Sequence, residues 1–161
     1  MNINELKNLT ESLLETFFDA GQKALELRNK GLETTFKSDN SPVTNGDLEV
    51  DKFLREKIIQ TTPNIPIISE ETVNLNKKND FKDFWLIDPI DGTKEYINNE
   101  DEFTLNASLI IDLEPAIGII YAPAKKRLFY SYGNGCSFER FEQKKIKLEC
   151  RKKTKLGEVQ A

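Results

Sequence analysis

Histidine is absent from this chain of 161 residues. That removes Ser-His-Asp and Cys-His catalysis, His-ligated zinc or haem, and an imidazole base near neutral pH. Acid–base work must fall to the 27 carboxylates, the lysines, the tyrosines or a water on a metal. A metal site must be lined mainly by oxygen, which points to Mg²⁺, Mn²⁺ or Ca²⁺ rather than zinc. Cysteine is scarce. Cys136 and Cys150 form neither a disulfide framework nor a CxxC pair, so a reduced, cytoplasmic setting is the expectation. Long apolar runs are missing too: none approaches the roughly 18 residues of a membrane span. The N-terminus carries Asn and Glu where a signal peptide would carry basic residues and an apolar stretch.

What is present suits a folded α+β protein. The chain is 38% hydrophobic and 31% charged. Its length alone predicts one domain, since about 100–150 residues is the commonest size. The net charge of −4 is uneven: residues 142–161 hold seven Lys/Arg and three Glu, or +4, so the remainder is −8. The basic run Lys144–Lys155 could meet nucleic acid, but no aromatic is interleaved with it to stack on bases. It reads as a solvated strand and linker.

Leu6, Leu9, Leu13, Phe17, Ala20, Ala24 and Leu27 recur at helical spacing and predict a helix over 3–29. An Asn2–Glu5 capping box starts it and Gly31 ends it. A polar loop follows, Lys37 to Pro42. A second helix is predicted from Thr44 to Gln60, with Asp47 in its first turn and Leu48, Phe53, Leu54 and Ile58 as its apolar face. Thr61-Thr62-Pro63 stops it. Strands are predicted at 65–69, 84–87, 104–111, 116–121, 128–132, 137–141 and 146–148, with a short turn or helix at 93–97. Short connections favour an antiparallel meander. The expected fold is therefore two N-terminal helices covering one face of a largely antiparallel sheet.

Four acidic groups stand where such a fold places chemistry. Asp47 opens a helix, Glu70 ends one strand, Asp88 ends another, and Asp91 follows three residues later. Taken singly each has an ordinary explanation: Asp47 as a helix-dipole partner, Asp-Pro and Asp-Gly as turn dipeptides. Together they are less ordinary. In Asp88-Pro89-Ile90-Asp91-Gly92-Thr93, Pro89 is expected to turn the chain and bring Asp91 beside Asp88. Gly92 lets the backbone approach a ligand, and Thr93 opens a helix whose free N–H groups suit a phosphate. Crowded carboxylates repel. Two Mg²⁺ ions about 3.5–4 Å apart would neutralise them and support an in-line displacement.

This run, preceded by Trp85, resembles the signature of the inositol monophosphatase superfamily, Mg²⁺-dependent and lithium-sensitive phosphatases. Ser41-Pro42-Val43-Thr44-x-x-Asp47 and Ser69-Glu70-Glu71 match its two upstream motifs, in order. Lys94-Glu95-Tyr96-Ile97, Glu102-Phe103-Thr104-Leu105-Asn106 and Tyr121-Ala122-Pro123 are similar to the 3′(2′),5′-bisphosphate nucleotidase (CysQ-type) branch. That branch converts adenosine 3′,5′-bisphosphate to AMP and phosphate.

The resemblance implies site roles. Glu70, Asp88 and the Ile90 carbonyl would hold a first Mg²⁺. Asp88 would bridge to a second, which Asp91 would also bind, with Mn²⁺ as a possible substitute. Thr93, hydrogen-bonded to Asp47, would orient the attacking water. The Gly92 and Thr93 amides would bind the substrate phosphate. Glu71 and Lys37 are secondary candidates.

The resemblance also implies a second, C-terminal α/β domain with a Trp-Asp motif. Trp85 is the only Trp, so the expectation is a metal-binding N-terminal domain over 1–150 and the start of a link over 151–161. Inositol phosphate and fructose bisphosphate stay open as substrates. Self-association through the face left bare is an alternative of another class.

Overall fold

The computed structural model describes residues 1–37, 39–72, 80–142 and 144–149. Helix α1 (Ile3–Lys30) begins at Asn2, whose Oδ1 accepts from the Asn4 and Glu5 amides at 3.0 Å. Glu5 Oε2 accepts from the Asn2 amide at 2.7 Å. This reciprocal cap satisfies N–H groups that no carbonyl of the helix can reach. Leu6, Leu13, Phe17, Ala20 and Ala24 form the buried stripe.

Strands β1 (Thr34–Phe36) and β2 (Pro42–Thr44) pair as a small antiparallel sheet. The sequence does not predict this pairing, because β1 buries nothing and so shows no alternation. Helix α2 (Asn45–Thr61) follows at once.

The predicted apolar face of α2 needs correction. Leu48 is half exposed. The buried face runs Gly46, Asp47, Val50, Asp51, Leu54 and Ile58, so Leu54 and Ile58 hold and Leu48 does not. Two of its six positions are carboxylates, and a hydrophobic pattern cannot find them. Both are buried because each has fixed partners, described below.

A seven-stranded sheet packs on these helices: β3 (Ile67–Ser69), β4 (Phe84–Asp91), β5 (Thr104–Ile111), β6 (Glu114–Ala122), β7 (Arg127–Tyr132), β8 (Ser137–Phe141) and β9 (Lys144–Lys147), in that spatial order. The short helix α3 (Thr93–Ile97) joins β4 to β5. Strands β3 and β4 are parallel and every other neighbouring pair is antiparallel. The α+β expectation holds, with a meander as its larger part.

Trp85, Ile87, Leu105, Leu109, Ile119 and Leu128 point into the core that α1 and α2 cover. On the opposite face Leu86 and Ile120 remain 48% and 47% exposed. Helix α1 lies so near β6 that a Cβ on Gly21 would sit 2.3 Å from the Tyr121 ring. Among the described residues no helix is long and apolar enough to cross a membrane. Cys150 and the expected link at 151–161 lie outside the described residues.

Strand β4 departs most usefully from expectation. It does not turn at Pro89 but runs on to Asp91. Asp88 pairs with Asn106 and Asp91 with Thr104, so three steps on β4 match two on β5. One extra residue is a β-bulge. Proline is tolerated there because no ladder N–H is required of it.

Candidate metal and phosphate site

The bulge decides which carboxylates meet. Residues three apart on a regular strand lie on opposite faces. The extra residue restores Asp91 to the face of Asp88, since their partners Asn106 and Thr104 are two apart on β5. Asn106 Nδ2 donates to Asp91 Oδ2 at 3.3 Å, which agrees with a shared face. Glu70 reaches the same place from β3. Its amide donates to the Ile87 carbonyl at 3.0 Å, and its charge acts on Asp88. Burial, then the charges of Glu70 and Asp91, push the Asp88 carboxyl up to about 7. Among the described residues, Asp88 Oδ1 is buried with no hydrogen-bond partner.

Asp47 serves two elements at once. Its Oδ2 accepts from the Thr44 amide at 2.8 Å and the Thr44 hydroxyl at 2.5 Å, closing the cap of α2. Its Oδ1 lies 3.1 Å from Thr93 Oγ1. The Thr93 hydroxyl is also 3.2 Å from the Ile90 carbonyl, so its one proton has two acceptors. One oxygen of Asp47 thus caps α2 and the other meets Thr93. Tyr96 locks α3 behind this pair, its hydroxyl donating to the Ala24 carbonyl at 2.7 Å.

Gly92 adopts φ +92°, and a Cβ there would lie 2.8 Å from the Glu102 carbonyl oxygen and 3.3 Å from Phe103 Cα. Both obstacles are backbone and cannot swing away. Gly92→Ala is therefore expected to destabilise the fold by about 2–4 kcal/mol, combining left-handed strain with the clash. Urea unfolding measures this, and an unchanged midpoint would refute it.

Lys37, on the β1–β2 loop, sits 3.1 Å from Glu70 Oε1 and 3.0 Å from Glu71 Oε1. Burial lowers its pKa, but its bonds to Glu71 and Glu70 prevail and hold the ammonium above its ordinary value. Burial raises the Glu71 carboxyl in spite of Lys37.

Behind Glu70, the hydroxyl of buried Ser69 donates to Asp51 Oδ1. Arg55 Nη1 lies 3.3 Å from the other Asp51 oxygen. Helix α2 thus grips the site twice, through Asp47 to Thr93 and through Asp51 to Ser69. Sequence reasoning singled out Asp47 and missed Asp51. The signal was there, one turn further along the same face.

These residues do not form a finished coordination shell. Among the described residues no three carboxylates converge closely enough to hold a metal as they stand. Glu70 is drawn toward Lys37 and Asp91 toward Asn106. The donor set still fits a hard cation: it is all oxygen, it is mutually repulsive, and one buried oxygen is unpaired. A cavity of about 760 Å³ lies elsewhere, lined by Arg55, Ile59, Ile67, Phe81 and Lys82. None of the carboxylates above borders it.

Fold and site together define an α+β domain with a carboxylate centre at a bulged strand and an Asp–Thr pair beside it. The chain belongs to the inositol monophosphatase family, whose model matches residues 5–159. It is 36% identical to the 3′(2′),5′-bisphosphate nucleotidase CysQ of Aggregatibacter actinomycetemcomitans over 146 residues, covering 87% of this chain and 54% of the relative. The CysQ of Haemophilus influenzae is 33% identical, covering 89% of this chain and 52% of that one. A solved IMPase/NADP phosphatase complexed with Mg²⁺ and phosphate shares the fold with a TM-score of 0.71 at 19% identity, over 85% of this chain and 51% of the other. The chain spans about half the length of the curated relatives it matches.

Proposed function

We propose that this chain carries the carboxylate-bearing half of a Mg²⁺-dependent phosphomonoesterase for 3′(2′),5′-bisphosphate nucleotides, releasing AMP and phosphate from adenosine 3′,5′-bisphosphate. One observation supports this above the rest: a buried, unpartnered Asp88 oxygen between the charges of Glu70 and Asp91. Such a group calls for a cation. Similarity to CysQ at 33–36% identity favours the nucleotide over inositol phosphate. The Mg²⁺ and phosphate named for the structural relative favour the same class of chemistry.

In this reading Glu70, Asp88, Asp91 and the Ile90 carbonyl would hold the divalent cations. Mg²⁺ held there would neutralise the cluster and supply charge stabilisation to the phosphoryl oxygens. The chain's own residues then do the following work. The Gly92 and Thr93 amides, freed by the left-handed turn at Gly92, hold the phosphate. The Thr93 hydroxyl donates to Asp47 Oδ1 and turns its lone pairs toward the attacking water. As the water oxygen bonds to phosphorus and the ester bond breaks, the water gives a proton to Thr93 Oγ1, Thr93 passes its own to Asp47 Oδ1, and the leaving 3′-oxygen takes up a proton from solvent.

Calorimetric titration of the 161-residue chain with MgCl₂ is expected to show saturable binding. Phosphate release from adenosine 3′,5′-bisphosphate should need Mg²⁺ and exceed release from inositol 1-phosphate. Absence of Mg²⁺ binding, or hydrolysis indifferent to EDTA, would overturn the reading.

A further inference from the structure

We infer that Asn106 is a positioning residue of the cation site, holding Asp91 with its amide nitrogen and presenting its carbonyl oxygen to the cation and its hydration water. This rests on the cation reading of Glu70, Asp88 and Asp91. Asn106 stands directly opposite Asp88 across the β4–β5 ladder. Facing side chains in such a pair have Cβ atoms about 4.5–5.5 Å apart. Its Nδ2 donates to Asp91 Oδ2 at 3.3 Å. Its Oδ1 is buried and has no partner among the described residues, as is true of Asp88 Oδ1.

The amide orientation is itself constrained. Reversed, it would set an oxygen against the Asp91 carboxylate. As it stands, two buried acceptor oxygens from neighbouring strands, one on Asp88 and one on Asn106, lack donors. A leucine would fill the same volume without that debt, so packing alone does not account for asparagine. A carbonyl oxygen adds a hard donor without adding a negative charge to a cluster already crowded with them.

Three measurements on the 161-residue chain test this. Asn106→Leu is expected to weaken Mg²⁺ binding by about 10–100-fold, as loss of a group that orients a ligand does. Its unfolding midpoint in EDTA should not fall, since the buried, unpartnered carbonyl oxygen is removed along with one long hydrogen bond to Asp91. In the unsubstituted chain, the Asn106 side-chain amide resonances should move during the Mg²⁺ titration and saturate with it. Unchanged Mg²⁺ affinity in Asn106→Leu, or resonances that stay still through saturation, would overturn the inference. If Asn106→Leu does not fold, the resonances decide alone.

Asp88→Asn separates this inference from the reading beneath it. If Asp88→Asn loses Mg²⁺ while Asn106→Leu keeps it, the role of Asn106 is wrong and the site stands. If Asp88→Asn keeps Mg²⁺, both are wrong.

Discussion

Asp88→Asn is expected to abolish Mg²⁺ binding and, in EDTA, to raise the unfolding midpoint at pH 8. The two effects have one cause. Asp88 is half-buried and flanked by Glu70 and Asp91, so its folded carboxyl titrates near 7 rather than 3.8. A raised acid value means that the folded state holds its proton longer than the unfolded state does. Stability from this group is therefore present below about 3.8 and is lost as pH rises toward 7. Asparagine has no such loss, so its advantage is absent at pH 4 and complete above pH ~7. Because solvent screens a half-exposed group, a gain of a few degrees is the expected scale.

With Mg²⁺ the order reverses. The cation stabilises the unsubstituted chain by mass action and does nothing for Asp88→Asn. Thermal unfolding at pH 4 and pH 8, with EDTA or excess MgCl₂, gives the four curves required. An equal Mg²⁺ shift in both proteins would remove Asp88 from the site.

Asp47→Ala is expected to cost about 2–4 kcal/mol of stability and to reduce turnover by about 10²–10⁴-fold. Asp47 is 1% exposed. Its loss leaves the Thr44 amide, the Thr44 hydroxyl and the Thr93 hydroxyl without their carboxylate partner. Part of the stability loss is the cap of α2 and part is the orphaned donors.

Thr93→Val separates the two roles. It leaves Thr44 and Asp47 bonded, so the midpoint in urea should move little while turnover falls as far as in Asp47→Ala. Equal destabilisation by both variants would show the pair to be structural only. Full turnover in Thr93→Val would contradict its part in orienting water.

The residues differ in how plainly the sequence shows them. Asp47, Glu70, Asp88, Asp91, Gly92 and Thr93 stand in short ordered motifs, and chain adjacency carries their meaning. Asp51 stands in no such motif, and Asn106 closes the run Glu102-Phe103-Thr104-Leu105-Asn106, which marks a branch of the family without giving that residue a role. Asp51 sits in a helix where a polar residue usually faces water, and only the arrival of Ser69 from β3 makes it a buried pin. Asn106 alternates like any outward residue of a strand. It matters because β5 pairs with β4 in one particular register.

The composition narrowed the kind of chemistry the chain suits. A chain without histidine that concentrates carboxylates at strand ends is suited to oxygen ligands and hard cations, and local spacing was enough to place α1, α2 and most of the meander. Tertiary structure decided the rest. The motif Asp88-x-x-Asp91 alone cannot say whether its carboxylates share a face, because a regular strand would separate them. The one-residue bulge against β5 brings them together. The buried polar face of α2, against the predicted Leu48 face, was decided by partners on β3 and α3 that lie far away in sequence. Periodicity records which positions are apolar, whereas register and long-range hydrogen bonds determine which polar ones can be buried.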